Sequence, residues 1–129
     1  MKNKTSLILA TTILLSTYSC NVKNVEKYNE DFIGEWRTEV FYSPTKGDSI
    51  RNYLNVDGND SAYGVACDQD LPFSDCLIFQ TGKIKFNTNT KAMQFGNSVS
   101  QIHYVTDEPY INESGVWELS LDSISYYKY

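Results

Sequence analysis

Four side chains in this 129-residue chain are of types that do chemistry: Cys20, Cys67, Cys76 and His103. A catalytic triad needs its histidine beside a nucleophile and an orienting acid. A zinc site wants several His or Cys ligands together. No Gly-x-Ser-x-Gly, His-Glu-x-x-His or phosphate-loop pattern accompanies His103. It therefore reads as a surface or partly buried strand residue. Asp68, Asp70 and Asp75 crowd one segment, and Asp57, Asn59 and Asp60 another, without the ligand spacing of a calcium loop. They read as solvated turn acids. Glu35 and Glu39 share one side of a strand with no cleft implied, unlike the facing carboxylates of a glycosidase. The expectation is a protein that is not an enzyme, with no cofactor and no metal.

The chemistry that remains belongs to the cysteines, and their setting comes from the first 20 residues. Lys2-Asn3-Lys4 is a basic start, and the nine residues Leu7–Leu15 form a short apolar run. That length suits the h-region of a signal peptide and falls short of the ~20 residues of a membrane-spanning helix. Thr17-Tyr18-Ser19-Cys20 resembles a relaxed lipobox of the kind found in lipoproteins of the Bacteroidetes. Ser19 is small, as the pattern wants, while Thr17 and Tyr18 depart from it. The resemblance implies that residues 1–19 are a signal peptide and that Cys20 is lipidated, with ordinary secretory cleavage near Ser19 as the alternative. Two or more acyl chains anchor a protein stably to a membrane without spanning it. Asn21 rather than Asp follows the cysteine, which favours the outer membrane of a bacterial envelope. With Cys20 used by lipid in an oxidising compartment, Cys67 and Cys76 are expected to form a disulfide. Closing so short a loop adds about 2–3 kcal/mol by the chain-entropy model.

Losing Lys2 and Lys4 takes the formal charge from −5 to −7. An acidic body argues against nucleic acid and against electrostatic docking on anionic lipid. Roughly 110 residues remain, enough for one domain. Ten Tyr, six Phe and two Trp favour strands over helices.

Residues 20–31 read as a polar tether, with a short helix possible over Val25–Phe32. From there short β-branched and aromatic runs alternate with turn signals. Trp36, Thr38, Val40 and Tyr42 are expected on one face of a first strand, and Ile50, Leu54 and Val56 on one face of a second. Asp57-Gly58 is a hairpin signal. If residues 62–67 and 76–80 pair, Val65 faces Ile78 and Tyr63 faces Gln80. Ile84 and Phe86, then Met93 and Phe95, share further faces. Residues 107–115 read as a polar loop holding Pro109. Trp117, Leu119 and Leu121 alternate, and in the last strand Tyr127 and Tyr129 oppose Tyr126. The expectation is an all-β domain over 32–129, a small antiparallel meander or barrel of about eight or nine short strands.

Phe32-Ile33-Gly34-Glu35-Trp36 resembles the start of lipocalin-like domains, and Gly115–Ile124 is similar to the last hairpin of small lipocalin-like lipoproteins. The resemblance implies that a helical turn leads to Gly34-x-Trp36 and that Trp36 plugs one barrel end. Lipocalins place a late arginine on that tryptophan, whereas the final strand here offers only Lys128. The implied function is a non-catalytic, membrane-tethered binding domain for a small apolar or amphipathic ligand. Strands this short leave room for the alternative of a filled barrel. Such a barrel would serve as an inhibitor, immunity-type or other envelope protein–protein module acting through its loops.

Overall fold

A computed structural model describes residues 21–66, 77–96 and 102–129. Its architecture is an antiparallel all-β sheet with one short helical segment at the N-terminal side. The strands are β1 (Val22–Asn24), β2 (Gly34–Arg37), β3 (Phe41–Ser43), β4 (Asp48–Val56), β5 (Ala62–Ala66) and β6 (Leu77–Thr81). They continue as β7 (Ile84–Asn87), β8 (Ala92–Phe95), β9 (His103–Ile111), β10 (Trp117–Leu121) and β11 (Ile124–Lys128). Helix α1 (Val25–Tyr28) and a 3-10 turn (Glu30–Phe32) precede β2. No helix among the described residues is long and apolar enough to cross a membrane.

The ladder runs β1-β7-β8-β9-β10-β11-β2-β4-β5-β6, with β3 hanging from β4. Its path ends at β1 and β6, and β6 is followed in the chain by β7 through Gly82-Lys83. Contacts across the interior show that the sheet curls into a barrel-like wall. Tyr63 on β5 and Phe95 on β8 lie six strand spacings apart along the ladder, which in a flat sheet is roughly 29 Å. Their ring centroids are 6.4 Å apart. Asn52 on β4 likewise reaches Tyr126 on β11 at 3.3 Å.

Alternation fills this interior with side chains. Trp36, Leu54, Ile84, Phe86, Met93, Phe95, Leu119, Leu121 and Tyr126 are all buried in one cluster with Val25 and Phe32. The facings read for β4, β7, β8, β10 and β11 hold, with Ile50 and Val56 also buried. The β10–β11 hairpin turns on Asp122 and Ser123, both at positive φ (51° and 65°), as a two-residue type I′ turn requires.

Four expectations need correction. The described part of the 20–31 tether is folded onto the sheet: Val22–Asn24 pairs with β7, Val25 is fully buried, and the Tyr28 ring lies 4.8 Å from Phe86. Apolar burial thus outweighs the polar composition of this segment. The first strand breaks after Arg37, so Tyr42 faces solvent at 64% exposure rather than sharing the core face of Trp36. Val65 pairs with Leu77, not Ile78, because a bulge after Tyr63 shifts the register by one, while Tyr63 does oppose Gln80. Residues 107–111, read as loop, continue β9. Glu108 and Pro109 stand opposite the single residue Leu119, and a bulge is where a strand tolerates proline. The described residues therefore form eleven strands, because β1 is added and the first strand divides into β2 and β3.

Candidate functional site

Concave features open beside the break after Arg37. Thr38 stays on β4 by exchanging bonds with Asn52: its N–H donates to the Asn52 carbonyl (3.0 Å), and its Oγ1 accepts the Asn52 N–H (3.0 Å). A hydroxyl has replaced a main-chain carbonyl, so the ladder slips. Arg37 pairs with Tyr53 but Phe41 pairs with Ile50, which places three residues, 38–40, opposite two. The offset turns Phe41 toward the core and draws β3 away from β11. β11 is then laddered to β2 only at Tyr127–Arg37 and Lys128–Trp36.

Two adjoining grooves open along this line. The larger, about 600 Å³, is lined by Arg37, Arg51, Lys128, Tyr127, Tyr129 and the 112–116 turn. The smaller, about 350 Å³, is lined by Phe41, Ile124, Ser123 and Ser125. Thr38, Glu39 and Tyr127 border both. Both volumes fall in the range of small-ligand pockets.

Arg37, Arg51, Lys128 and Glu39 are among the charged residues that border the larger groove. The Arg37 guanidinium sits 4.0 Å over the Tyr129 ring, which fixes its plane without neutralising it. Lys128 lies 4.7 Å over Trp36 and 5.1 Å over Trp117 and donates to the Asp31 carbonyl at 3.1 Å. Burial holds its ammonium below the ordinary lysine value, partly countered by Asp31.

Beside the groove, Glu118 accepts from Asn112 Nδ2 (3.0 Å) and Ser125 Oγ (2.9 Å). Asn112 is the main cause of its lowered pKa, opposed by desolvation and helped by Ser125 and Tyr110. A carboxylate lowered on folding contributes stability that is present above its unfolded pKa and is lost as pH falls through the folded one. The stability advantage of the native chain over Glu118→Gln should therefore be full at pH 7 and shrink below about pH 4. Urea titrations across pH test this, and a difference constant from neutral to acid pH would contradict it.

The other candidates lie elsewhere. His103 is inside the wall, with Nδ1 2.9 Å from Asp122 Oδ2 and Nε2 3.2 Å from Gln80 Oε1. Asp122 Oδ1 accepts the Tyr104 N–H, and the Tyr63 ring stacks 4.5 Å from the imidazole. Both ring nitrogens face an acid or an amide, and no hydroxyl or thiol of the described residues bonds to either. Here the histidine ties β9, β6 and the β10–β11 turn together. Tyr63 and Tyr126 form a further buried pair whose hydroxyls burial raises above the ordinary tyrosine value. Asp57 accepts the Asn59 and Asp60 N–H groups, each at 2.8 Å, as a turn-forming acid. Among the described residues no three His, Cys, Asp or Glu gather as metal ligands.

Gly34 and Trp36 open β2 as read, with Trp36 fully buried and its Nε1–H donating to the Phe32 carbonyl at 2.8 Å. Cys20, Cys67 and Cys76 lie outside the described residues. Sequence reading missed the groove cations altogether. Its one available signal was that Arg37, Tyr127 and Tyr129 all fall on outward positions, but nothing local foretold that β2 would stop at Thr38. Compared with protein-family models, curated proteins and solved structures, the chain matches none.

Proposed function

We propose that this chain is a non-catalytic binding module, tethered to a bacterial envelope through lipid on Cys20, that holds an amphipathic ligand on its outer face. The observation that carries the reading is the contrast between interior and exterior. Trp36, Phe86, Met93, Phe95 and Tyr126 fill the space where a lipocalin-like barrel would hold its ligand, whereas the two grooves stand open along β2 and β11. The smaller groove offers Phe41 and Ile124 to an apolar part, and the larger offers the polar lining of Arg37, Thr38 and Glu39 to a polar part. A lipocalin-like descent is supported by Lys128, which lies over Trp36 where that family places an arginine.

Native mass spectrometry of the full chain, extracted in detergent, tests this reading. The expected result is a bound mass that the Ile124→Asp variant loses, with acyl groups found on Cys20. A bound mass unaffected by that variant, or a mature terminus at an unmodified Asn21, would overturn the corresponding half.

A second reading, a protein–protein module of the envelope, is favoured by the edge of β3, which has no ladder partner among the described residues.

A further inference from the structure

Among the described residues, β6 is an end of the ladder, paired along one edge to β5 with a bulge after Tyr63. Its other edge has no ladder partner there, so side chains tie that end of the wall to β9. The tie runs through one imidazole. His103 opens β9, with Nδ1 2.9 Å from Asp122 Oδ2 and Nε2 3.2 Å from Gln80 Oε1. Gln80 is buried, and Asp122 belongs to the β10–β11 turn. Facing the ring among the described residues are thus Asp122 from that turn, Gln80 from β6, Tyr63 from β5 and Phe95 from β8. Asp122 is the charged group of the four, while burial raises the Tyr63 hydroxyl and keeps it neutral.

The hydrogens follow from the partners. An ionised carboxylate only accepts, so Nδ1 carries a hydrogen whether the ring is neutral or charged. Nε2 carries one only in the charged ring, and the atom it faces, Gln80 Oε1, is an acceptor. Both contacts are therefore hydrogen bonds in the imidazolium form alone. In the neutral ring a lone pair meets a carbonyl oxygen, and that contact repels. The turn is held either way. Asp122 keeps the Nδ1–H, accepts the Tyr104 N–H at 2.9 Å and donates its own N–H to the Tyr104 carbonyl at 2.8 Å. The effect of the proton is thus confined to the β6 side. We propose that His103 is a proton-operated clasp, which fastens β6 to β9 when charged and releases it when neutral. The clasp belongs to the inner wall and stands apart from whatever the outer grooves hold.

The test is amide hydrogen exchange of the full chain in detergent, corrected for the intrinsic rate, from about pH 8 to about pH 5. The His103 ring is titrated by NMR in the same samples. Protection of the β6 amides bonded to β5 is expected to rise roughly tenfold toward low pH, the scale of one charge-assisted bond. The rise should share the midpoint of the ring, while the Tyr104 and Asp122 amides stay constant. Gln80→Met keeps the length of the side chain without the acceptor and should abolish the response. Gln80→Glu sets a carboxylate opposite Nε2 and should keep β6 protected to higher pH. Protection of β6 that does not change across the titration of the ring would overturn the clasp. So would a Gln80→Met chain that responds like the native one. A third contrary result is a Gln80 amide that turns over and donates to the neutral Nε2, seen as a coupling between the two nitrogens at the high-pH end.

Discussion

Trp36→Ala is expected to lower the free energy of unfolding by about 3–5 kcal/mol, the usual cost of emptying a buried aromatic site. The indole is fully buried and touches the rest of the fold in three ways. It packs in the central cluster, donates Nε1–H to the Phe32 carbonyl at 2.8 Å, and lies beneath the Lys128 ammonium. Truncation leaves a cavity, an unpaired carbonyl and a half-buried cation with one aromatic face fewer. Each loss has the same sign, and the total is a large part of the 5–15 kcal/mol that holds a typical domain together. Trp36→Phe keeps the packing and most of the cation contact, so it should cost roughly 1–2 kcal/mol, mainly the indole hydrogen bond and some volume. Urea denaturation followed by circular dichroism measures both. A Trp36→Ala chain within about 1 kcal/mol of the native one would show that this end of the wall does not depend on the residue.

The second large effect is at the seam formed where the β6–β7 connection meets the end of β8. Gly82 has φ +114°, and a Cβ there would stand 3.2 Å from the Gly96 Cα. Gly96 has φ +54°, and its Cβ would meet the Thr81 carbonyl oxygen at 3.2 Å. Both contacts are with backbone, which cannot rotate away. The same backbones are pinned by Gly82 N–H to the Ser61 carbonyl (2.9 Å) and Gly96 N–H to the Lys83 carbonyl (2.8 Å). Gly82→Ala therefore combines a strained φ with a clash and should cost about 2–4 kcal/mol. Gly47→Ala is the control: φ is also positive, at +67°, but nothing lies within 4 Å of its Cβ, so about 1 kcal/mol is expected. Thermal melts of the two variants should separate clearly. If they coincide, the close approach of Gly82 and Gly96 does not hold the seam.

Much of this wall was legible residue by residue. Ile84 and Phe86 on β7, Met93 and Phe95 on β8, and Leu119 and Leu121 on β10 alternate in sequence and are buried in the structure. Period-2 patterning decides facing wherever one side of a strand is covered. The misreadings occur where a single contact far away in sequence sets the outcome. Thr38 and Asn52 exchange two hydrogen bonds across β2 and β4, and that exchange flips the facing of Phe41 and Tyr42. Pro109 suggests a loop by composition. β8 pairs with β9 only near His103 and Tyr104, so among the described residues no strand on that side requires the missing N–H. Val22–Asn24 reads as tether because its pairing partner lies some 60 residues later, on β7. The grooves are illegible for the same reason: Phe41 and Ile124 border one groove only after the ladder slips.

The central claim, that ligand binds on the outer face of β2 and β11 and not within the wall, is tested most directly by amide chemical-shift mapping. The isotope-labelled full chain is titrated with decanoate as a minimal amphipathic ligand. The account predicts shifts concentrated at Thr38–Phe41 and Ile124–Tyr127, with Phe86, Met93 and Leu119 unmoved. Shifts centred on Phe86, Met93 and Leu119 would place the ligand inside the wall and contradict it.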